Sequence, residues 1–189
     1  MSVYGSGRPN ATFSGPVPGA AGPRRAVFFN GVNDYLIVPN YPQINNMANA
    51  TLQFWMINAT DSHTNPISKD GNNGMYVQIN ASSYWSGYGT VYSKYGSARG
   101  FFDKGGAYAA DTWYLYTQVF NDHDGDGTGT ISVYRNGVAL SPNGAHLTQA
   151  APTGMDDNLF IGQYSSDNTN HPYAQNYYTD GYLDDMRIY

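Results

Sequence analysis

Apolar and polar side chains alternate with a period of two residues in several segments of this chain. The clearest are 26–30 (AVFFN), 34–38 (DYLIV), 51–59 (TLQFWMINA) and 112–120 (TWYLYTQVF). A period of two indicates a β-strand, because successive side chains point to opposite faces of a sheet. Segment 51–59 has apolar residues at both its odd-numbered and its even-numbered positions, which predicts a central strand covered on both faces. No segment shows a convincing 3.6-residue period, so we predict an all-β fold.

Turn residues separate these strands. Asn30-Gly31 turns the first strand into the second, and Asn136-Gly137 supplies the positive φ pair of a tight hairpin turn. Leu183 and Met186 are both apolar but three residues apart, so Asp184-Asp185 is expected to form a β-bulge. Further strands are predicted at 66–69, 75–80, 90–95, 100–103, 131–135, 158–163 and 181–189, with loops at 141–157 and 165–178.

Composition agrees with this prediction and sets the domain organisation. Aromatic residues make up 15% of the 189 positions and charged residues only 12%, with 22 Gly and 10 Pro. Many aromatics and frequent turn residues are typical of all-β domains. Residues 26–189 are predicted to form one domain. Residues 1–25, rich in Gly and Pro without periodicity, are predicted to form an extended arm that is either a lead-in to the first strand or a tether to a partner.

Charge and missing residue types exclude several functions. The net charge is −5, and the nine Lys and Arg form no run longer than the pair Arg24-Arg25, which argues against nucleic acid as a partner. The chain has no Cys, and all fourteen acidic residues are Asp. No apolar run approaches the roughly 20 residues of a membrane span. No signal peptide is visible in this sequence. We expect a location that is either extracellular, with the leader removed, or on a virion surface, since a virion protein released by lysis needs no leader.

An Asp-rich segment between two predicted strands is a candidate metal site. Asp122, Asp124 and Asp126 alternate and are followed by Gly127, as in the first half of an EF-hand loop. Three carboxylates without a cation would repel one another, so calcium is the predicted cofactor, with Thr128 contributing a backbone carbonyl. The position of the closing EF-hand glutamate is a valine, so the segment is not an EF-hand. The alternative is a solvated acidic turn.

Two groups of aromatic residues are the candidate ligand-binding surface. Both groups lie in predicted loops or short strands. The first group contains Tyr84, Trp85, Tyr88, Tyr92 and Tyr95, and the second contains Tyr173, Tyr177 and Tyr178. A flat ring with a polar tip suits either a sugar ring or a protein interface. The alternative is a tyrosine-rich sheet face.

Six segments in order carry a resemblance to a known family: FNGVNDYLIVPN, TLQFWMI, TWYLYTQVF, ISVYRNGV, LFIGQY and GYLDDMRIY. Together they resemble the concanavalin A-like lectin/glucanase superfamily, in particular its laminin-G-like and pentraxin-like modules, over residues 17–189. The resemblance implies a jelly-roll sandwich of two curved antiparallel sheets. It also matches Trp55 and Trp113 to core tryptophans of the family.

The resemblance also implies a second metal position, and the sequence differs from the enzymes of the superfamily in one respect. Asp184 occupies the place where related sandwiches hold a structural calcium, with a carbonyl near Asn30 as a further ligand; Asp34 is a weaker candidate. The alternative is a carboxylate that caps the bulge or pairs with Arg187 or Arg25. The glucanase branch carries a Glu-Asp-Glu catalytic strand, which a chain without Glu cannot have.

These observations predict a non-catalytic, calcium-stabilised, lectin-like module that binds a glycan. The alternative is a structural or assembly protein, such as a virion decoration or fibre module, with another protein surface as its partner. The N-terminal arm would then serve virion assembly or homo-oligomer formation. Asp156-Asp157 could be imagined as a glycosidase dyad, but adjacent residues of one loop seldom face each other across a substrate.

Overall fold

The computed structural model describes residues 26–58, 64–69, 74–79, 91–102, 112–122, 124–152, 155–164 and 178–189, with the backbone alone at positions 92, 101 and 143–146. These residues form two seven-stranded sheets in which all paired strands are antiparallel. In the described part of the chain the helical structure is a single 3-10 turn, Pro42–Ile44. No helix there is long and apolar enough to cross a membrane. The predicted all-β fold is confirmed.

The two sheets differ in which parts of the chain they contain. Sheet 1 holds, in spatial order, β1 (Val27–Asn30), β14 (Asp180–Ile188), β3 (Asn49–Asn58), β8 (Tyr114–Asn121), β9 (Thr128–Arg135) and β10 (Val138–Ala139), with β12 (Thr148–Ala150) also paired to β9. Sheet 2 holds β11 (Pro142–His146), β7 (Ala98–Phe102), β6 (Val91–Tyr95), β5 (Met75–Ile79), β4 (Thr64–Lys69), β13 (Leu159–Ile161) and β2 (Leu36–Val38).

The core lies between the sheets and is built by strand alternation. In β3, Leu52, Phe54 and Met56 are buried while the residues between them are half-buried. Tyr95 of sheet 2 meets Phe120 of sheet 1 with ring centroids 4.6 Å apart. β3 lies between β14 and β8, so the prediction of a central strand is confirmed. Burying one face of each sheet against the other is what stabilises a sandwich of this kind.

Two local predictions are confirmed by the backbone. Asn136 and Gly137 have φ angles of 52° and 78° and join β9 to β10, as a tight hairpin turn requires. In β14 the register to β3 shifts between Asp184 and Arg187, and Asp185 has a φ of 49°. The expected bulge is therefore present, and it returns Ile188 to the core side opposite Leu52.

Two other local predictions were wrong. Segments 26–30 and 34–38 do not form a hairpin, because β1 pairs with β14 in sheet 1 and β2 pairs with β13 in sheet 2. The turn between them carries the chain from one sheet to the other. Residues 141–157, predicted as a loop, contain β11 and β12, which lie at sheet margins and have too few apolar residues to show alternation.

The tryptophans also differ from expectation. Trp55 and Trp113 are half-buried and are not part of the buried core. Trp55 has the opposite parity to Phe54 and Met56, so it lies on the outward face of sheet 1. Trp113 contacts the ring of Tyr182 on the same sheet, with centroids 6.4 Å apart. A strand that is apolar on both faces does not reveal which face looks inward.

Candidate functional site

The Asp-rich loop between β8 and β9 brings its three carboxylates together. Oxygen atoms of Asp122, Asp124 and Asp126 all lie within 4.8 Å of one another. Calcium takes oxygen ligands at about 2.3–2.6 Å, so two of its ligands can be at most about 5 Å apart. The separation in this loop is compatible with one shared cation.

Hydrogen bonds hold one of these carboxylates in place. Asp122 is 4% exposed, and its two oxygens accept the backbone amides of Gly125 and Gly127, each at 2.9 Å. Its own amide donates to Asn49 Oδ1 at 2.9 Å, which ties the loop to the start of β3. Each carboxylate oxygen has more than one lone pair, so these bonds leave room for a metal. The same hydrogen bonds would also stabilise an acidic turn that binds no metal.

The other two carboxylates are exposed at the loop surface. Asp124 and Asp126 are both exposed, and Asp126 Oδ1 accepts the amide of Thr128 at 2.7 Å. Thr128 is the first residue of β9 and pairs with Ala150 of β12. The loop therefore combines one anchored carboxylate with two accessible ones, an arrangement that suits a cation of modest affinity whose remaining ligands are water.

Asp184 lies at the bulge of β14 and has one unsatisfied atom. Its Oδ1 accepts the amide of Asp185 at 2.8 Å, whereas Oδ2 is buried and has no hydrogen-bond partner in the described part of the chain. Arg187 forms its ion pair with Asp185, at 2.8 Å, and not with Asp184. The suggested pairing of Asp184 with Arg187 is therefore not found, while Arg25 lies outside the described residues.

Asn30 is not brought to Asp184, which corrects the expected ligand pair. β1 and β14 are antiparallel, so the end of β1 lies beside the start of β14: Asn30 is opposite Asp180, and Leu183 is opposite Val27. The side-chain oxygen of Asn30 instead accepts the amides of residues 32, 33 and 34, at 2.9–3.2 Å. Asp34, buried, accepts the amide of Asn30 and belongs to the same turn.

The two acidic positions are separate sites. Asp184 is opposite Trp55 of β3, whereas the Asp122 loop is tied to Asn49, six residues earlier on the same strand. Six residues of an extended strand span about 20 Å. One ion cannot serve both, and the chain offers two independent candidate positions.

Most of the predicted aromatic surface lies outside the described residues. This applies to Tyr84, Trp85, Tyr88, Tyr173 and Tyr177, for which the binding role stays a prediction. Tyr92 is placed by its backbone in β6, opposite Gln78 and Phe101. Tyr178 is half-buried and bridges to Gln163. Tyr95, by contrast, is a core residue that is 1% exposed.

A row of side chains on the outward face of sheet 2 was not foreseen. Tyr76, Lys94 and Arg99 lie directly opposite one another on the neighbouring strands β5, β6 and β7. Met75, Val77 and Tyr95 beside them are buried in the core, so the row faces outward. Alternation within each strand indicates which residues lie on the outward face of the sheet. The three residues are aligned by the register between the strands, and the sequence does not supply that register.

Aromatic and cationic groups meet in this row. The Tyr76 and Tyr164 rings make an edge-to-face contact with centroids 5.2 Å apart, and Lys94 Nζ lies 5.9 Å from the centre of the Tyr76 ring. Lys94 is 7% exposed, and its carbonyl accepts the side-chain amide of Gln118 at 3.1 Å, which fixes β6 from the core side. Arg99 is exposed and has no hydrogen-bond or ion-pair partner among the described residues.

The fold has counterparts among solved structures. A Bacteroides ovatus protein described as carbohydrate-binding matches with a TM-score of 0.62 and 13% identity, over 88% of this chain and 43% of that one. The laminin α1 LG4-5 domains of mouse match with a TM-score of 0.58 and 11% identity, over 86% and 40%. Domain 4 of a Geobacillus stearothermophilus extracellular arabinanase, in complex with arabinotriose, matches with a TM-score of 0.57 and 16% identity, over 87% and 70%.

The sequence comparisons place the chain in a family. This chain spans less than half of the Bacteroides and laminin chains, and at these identities the likeness establishes the fold alone. Comparison with curated proteins gives no significant match. The family model of the concanavalin A-like lectin/glucanases superfamily matches residues 30–189, most of the sequence. The chain therefore belongs to the concanavalin A-like lectin/glucanases superfamily.

Proposed function

We propose that this chain is a non-catalytic, calcium-stabilised module that binds a glycan through the outward face of sheet 2. The observation that carries the proposal is the Tyr76–Lys94–Arg99 row, with Tyr164 packed against Tyr76. Tyr76 is half-buried and Arg99 is exposed. A partly accessible aromatic ring near a hydrogen-bond donor suits a sugar, which presents C–H faces to a ring and hydroxyl edges to polar groups.

The absence of carboxylates from sheet 2 supports a binding role over a catalytic one. Glycoside hydrolysis normally requires two carboxylates on either side of the scissile bond. None of the seven strands of sheet 2 contains Asp or Glu, and the whole chain contains no Glu. An acid–base pair would have to come from loops outside these strands.

Calcium is proposed as a stabiliser of the fold and is not assigned to the ligand face. The Asp122, Asp124 and Asp126 oxygens are close enough to share an ion, and the loop they form joins two strands of sheet 1. A calcium ion there would offset two of the three negative charges and reduce the repulsion between the carboxylates in the β8–β9 connection. The buried, unpartnered Oδ2 of Asp184 supports a second cation at the bulge.

The structural neighbours support the glycan proposal and the proposed location. One neighbour is described as carbohydrate-binding and another holds arabinotriose, so this fold accommodates sugars in other proteins. The arabinanase is extracellular. We therefore propose an extracellular or virion-surface location for this chain as well.

A glycan array followed by titration calorimetry tests the proposal. Tyr76→Ala is expected to weaken binding of the array hit by about 2 kcal/mol, the size of an interface hot spot. The matched control is Tyr182→Ala, which removes an aromatic ring from the outward face of sheet 1 and should leave affinity unchanged. Equal losses in both variants, or no hit on the array, would count against the proposed face.

A second candidate is an assembly protein, such as a virion decoration or fibre module. The observation that favours it is an aromatic cluster on the outward face of sheet 1. Phe28 and Tyr182 have ring centroids 5.0 Å apart, and Trp113 lies 6.4 Å from Tyr182, with Trp55 also on this face. Aromatic residues are enriched at protein interfaces. The N-terminal arm proposed for assembly lies outside the described residues.

A further inference from the structure

Sheet 1 carries an apolar band on its outward face. Phe28 is opposite Tyr182, which is opposite Ile57, and in the adjacent row Trp55 is opposite Leu115. With Trp113, which contacts Tyr182, these side chains are all half-buried. The described residues form two sheets and one 3-10 turn, so no third layer of secondary structure from that part of the chain lies on this face.

The band has polar limits along the strands and is open at the edge of the sheet. On one side Gln53 donates its side-chain amide to Thr117 Oγ1 at 3.1 Å, and on the other Asn30 is opposite Asp180. Across the strands the band runs from β1, the edge strand, through β14 and β3 to β8. Ala26, which immediately precedes β1, is 0% exposed. Residues 1–25 therefore join the sandwich at one end of the apolar band.

The sequence just before Ala26 has the chemistry and the length to cover this band. Segment 16–23 (PVPGAAGP) contains three prolines. Proline-rich segments favour polyproline II, whose backbone needs no sheet partner, and they dock on aromatic-lined surfaces. Eight residues span about 25 Å in that conformation, whereas four neighbouring strands are roughly 15 Å across. Only two residues separate the segment from Ala26.

Charge and tethering both favour this segment as the occupant. Residues 1–25 contain three arginines and no acidic residue, and all fourteen Asp of the chain lie in residues 26–189. Opposite net charge attracts the N-terminal residues to the sandwich. A short tether also gives them a high effective concentration at their own sheet 1. The same segment of a second copy has no such advantage in dilute solution.

We propose that residues 16–23 dock on the outward face of sheet 1 of their own chain, with the proline rings against Phe28, Tyr182 and Trp113. The aromatic cluster is then an intramolecular docking site. Another protein can use this face only by displacing the segment. The proposal concerns sheet 1 and does not depend on a ligand on sheet 2.

A spin label in the segment tests the proposal on the full chain. The chain has no Cys, so Ala20→Cys carries a single label. In dilute solution we expect the label to broaden the indole NMR signals of Trp55 and Trp113. The triple variant Pro16→Ser, Pro18→Ser and Pro23→Ser keeps the length of the tether, and its broadening should fall to that of an undocked tether. Pro9→Ser, outside the segment, is the matched control and should retain the full broadening.

A variant of the face locates the docking site. Trp113→Ala should lower the broadening of the Trp55 signal to the level of the triple-proline variant. Tyr41→Ala removes an exposed aromatic ring outside both sheets and should leave the broadening unchanged. If Trp113→Ala does not fold, the proline variants decide, because they lie outside the sandwich.

Two results would overturn the proposal. Equal broadening in the parent and the triple-proline variant would show that the tether alone brings the label near the tryptophans. The second test mixes isotope-labelled protein that has no spin label with spin-labelled protein that has no isotope. Broadening in this mixture as strong as within one chain would assign the segment to the face of a second copy, and would favour assembly.

Discussion

Tyr95 shows how a single polar atom is accommodated in the core of this sandwich. Its ring packs on Phe120, and its hydroxyl donates to the carbonyl of Met47 at 2.9 Å. Burial raises the pKa of the Tyr95 phenol, because the charged phenolate would lose its hydration. Lys69 follows the same rule, since its buried ammonium is met by Asn40 and Asp157. In both of these residues the buried polar group is satisfied by a neighbour that supplies its partner.

The raised pKa of Tyr95 predicts a loss of stability in alkali. Tyrosine in the unfolded chain ionises near pH 10, whereas folded Tyr95 stays protonated. The folded state then binds one more proton than the unfolded state. Its stabilising effect is therefore complete below about pH 10 and is lost as pH rises, at about 1.4 kcal/mol per pH unit.

Urea denaturation at several pH values above 10 measures this slope. Tyr95→Phe should make the decline in unfolding free energy shallower by about one proton equivalent. Tyr41→Phe, at an exposed position, is the control and should leave the slope unchanged. Identical slopes for Tyr95→Phe and the parent would show that Tyr95 also ionises in the folded state.

At the scale of elements, the β8–β9 connection combines a strand hairpin with a loop organised by one residue. Asp122 closes the loop by accepting two backbone amides, and Asn49 links it to β3. Asp124 is exposed, and one of its oxygens lies within 4.8 Å of oxygens of Asp122 and Asp126. The loop therefore contains a carboxylate with a structural role and one whose role would appear only with a cation.

Melting in excess calcium and in chelator tests the loop as a metal site. Calcium at about 100 times its Kd should stabilise the folded chain by about 2.7 kcal/mol. Asp124→Ala should remove most of this increment and leave stability in chelator unchanged. Asp122→Ala should also lower stability in chelator, by about 1–3 kcal/mol, because it leaves backbone amides unsatisfied.

The control for this experiment is Asp156→Ala, which removes an exposed carboxylate outside the loop. It should retain the full calcium increment, which separates specific binding from a change in net charge. An increment that survives in Asp124→Ala would report the Asp184 position. Superimposable curves for the parent protein in calcium and chelator would mean that both acidic positions are turns without a metal.

At the scale of the whole molecule, the sandwich presents two outward faces of different chemistry. Sheet 2 carries the Tyr76–Lys94–Arg99 row, and sheet 1 carries the aromatic cluster around Tyr182. The faces belong to different sheets, with the shared core between them. A ligand on one face and a protein partner on the other are therefore separable by mutation.

Sedimentation velocity over a wide concentration range distinguishes the two candidate functions. For a glycan-binding module we expect a single monomer boundary at every concentration, because the sheet 1 aromatics are half-buried by one another. A sedimentation coefficient that rises with concentration in the parent protein, but not in Trp113→Ala, would instead favour the assembly function. Tyr76→Ala, on the other sheet, is the control and should leave sedimentation unchanged.

Sequence alone determined what depends on residues close together in the chain. Alternation located most strands, because side-chain direction repeats every two residues. The Asn136-Gly137 turn and the bulge at Asp184-Asp185 were predictable because each follows from local backbone geometry. The Asp122–Asp126 spacing likewise predicted a cluster that the structure brings together, although occupation by calcium stays a prediction.

Tertiary structure decided everything that depends on which strands become neighbours. Alternation does not reveal that β1 and β2 belong to different sheets, since either partner would satisfy their backbone groups. It also could not show that Trp55 faces outward or that Asn30 lies away from Asp184. The alignment of Lys94 with Arg99 arises from the register of two strands. Register is set by burial of the whole core and by turn geometry, and these are not properties of any single segment.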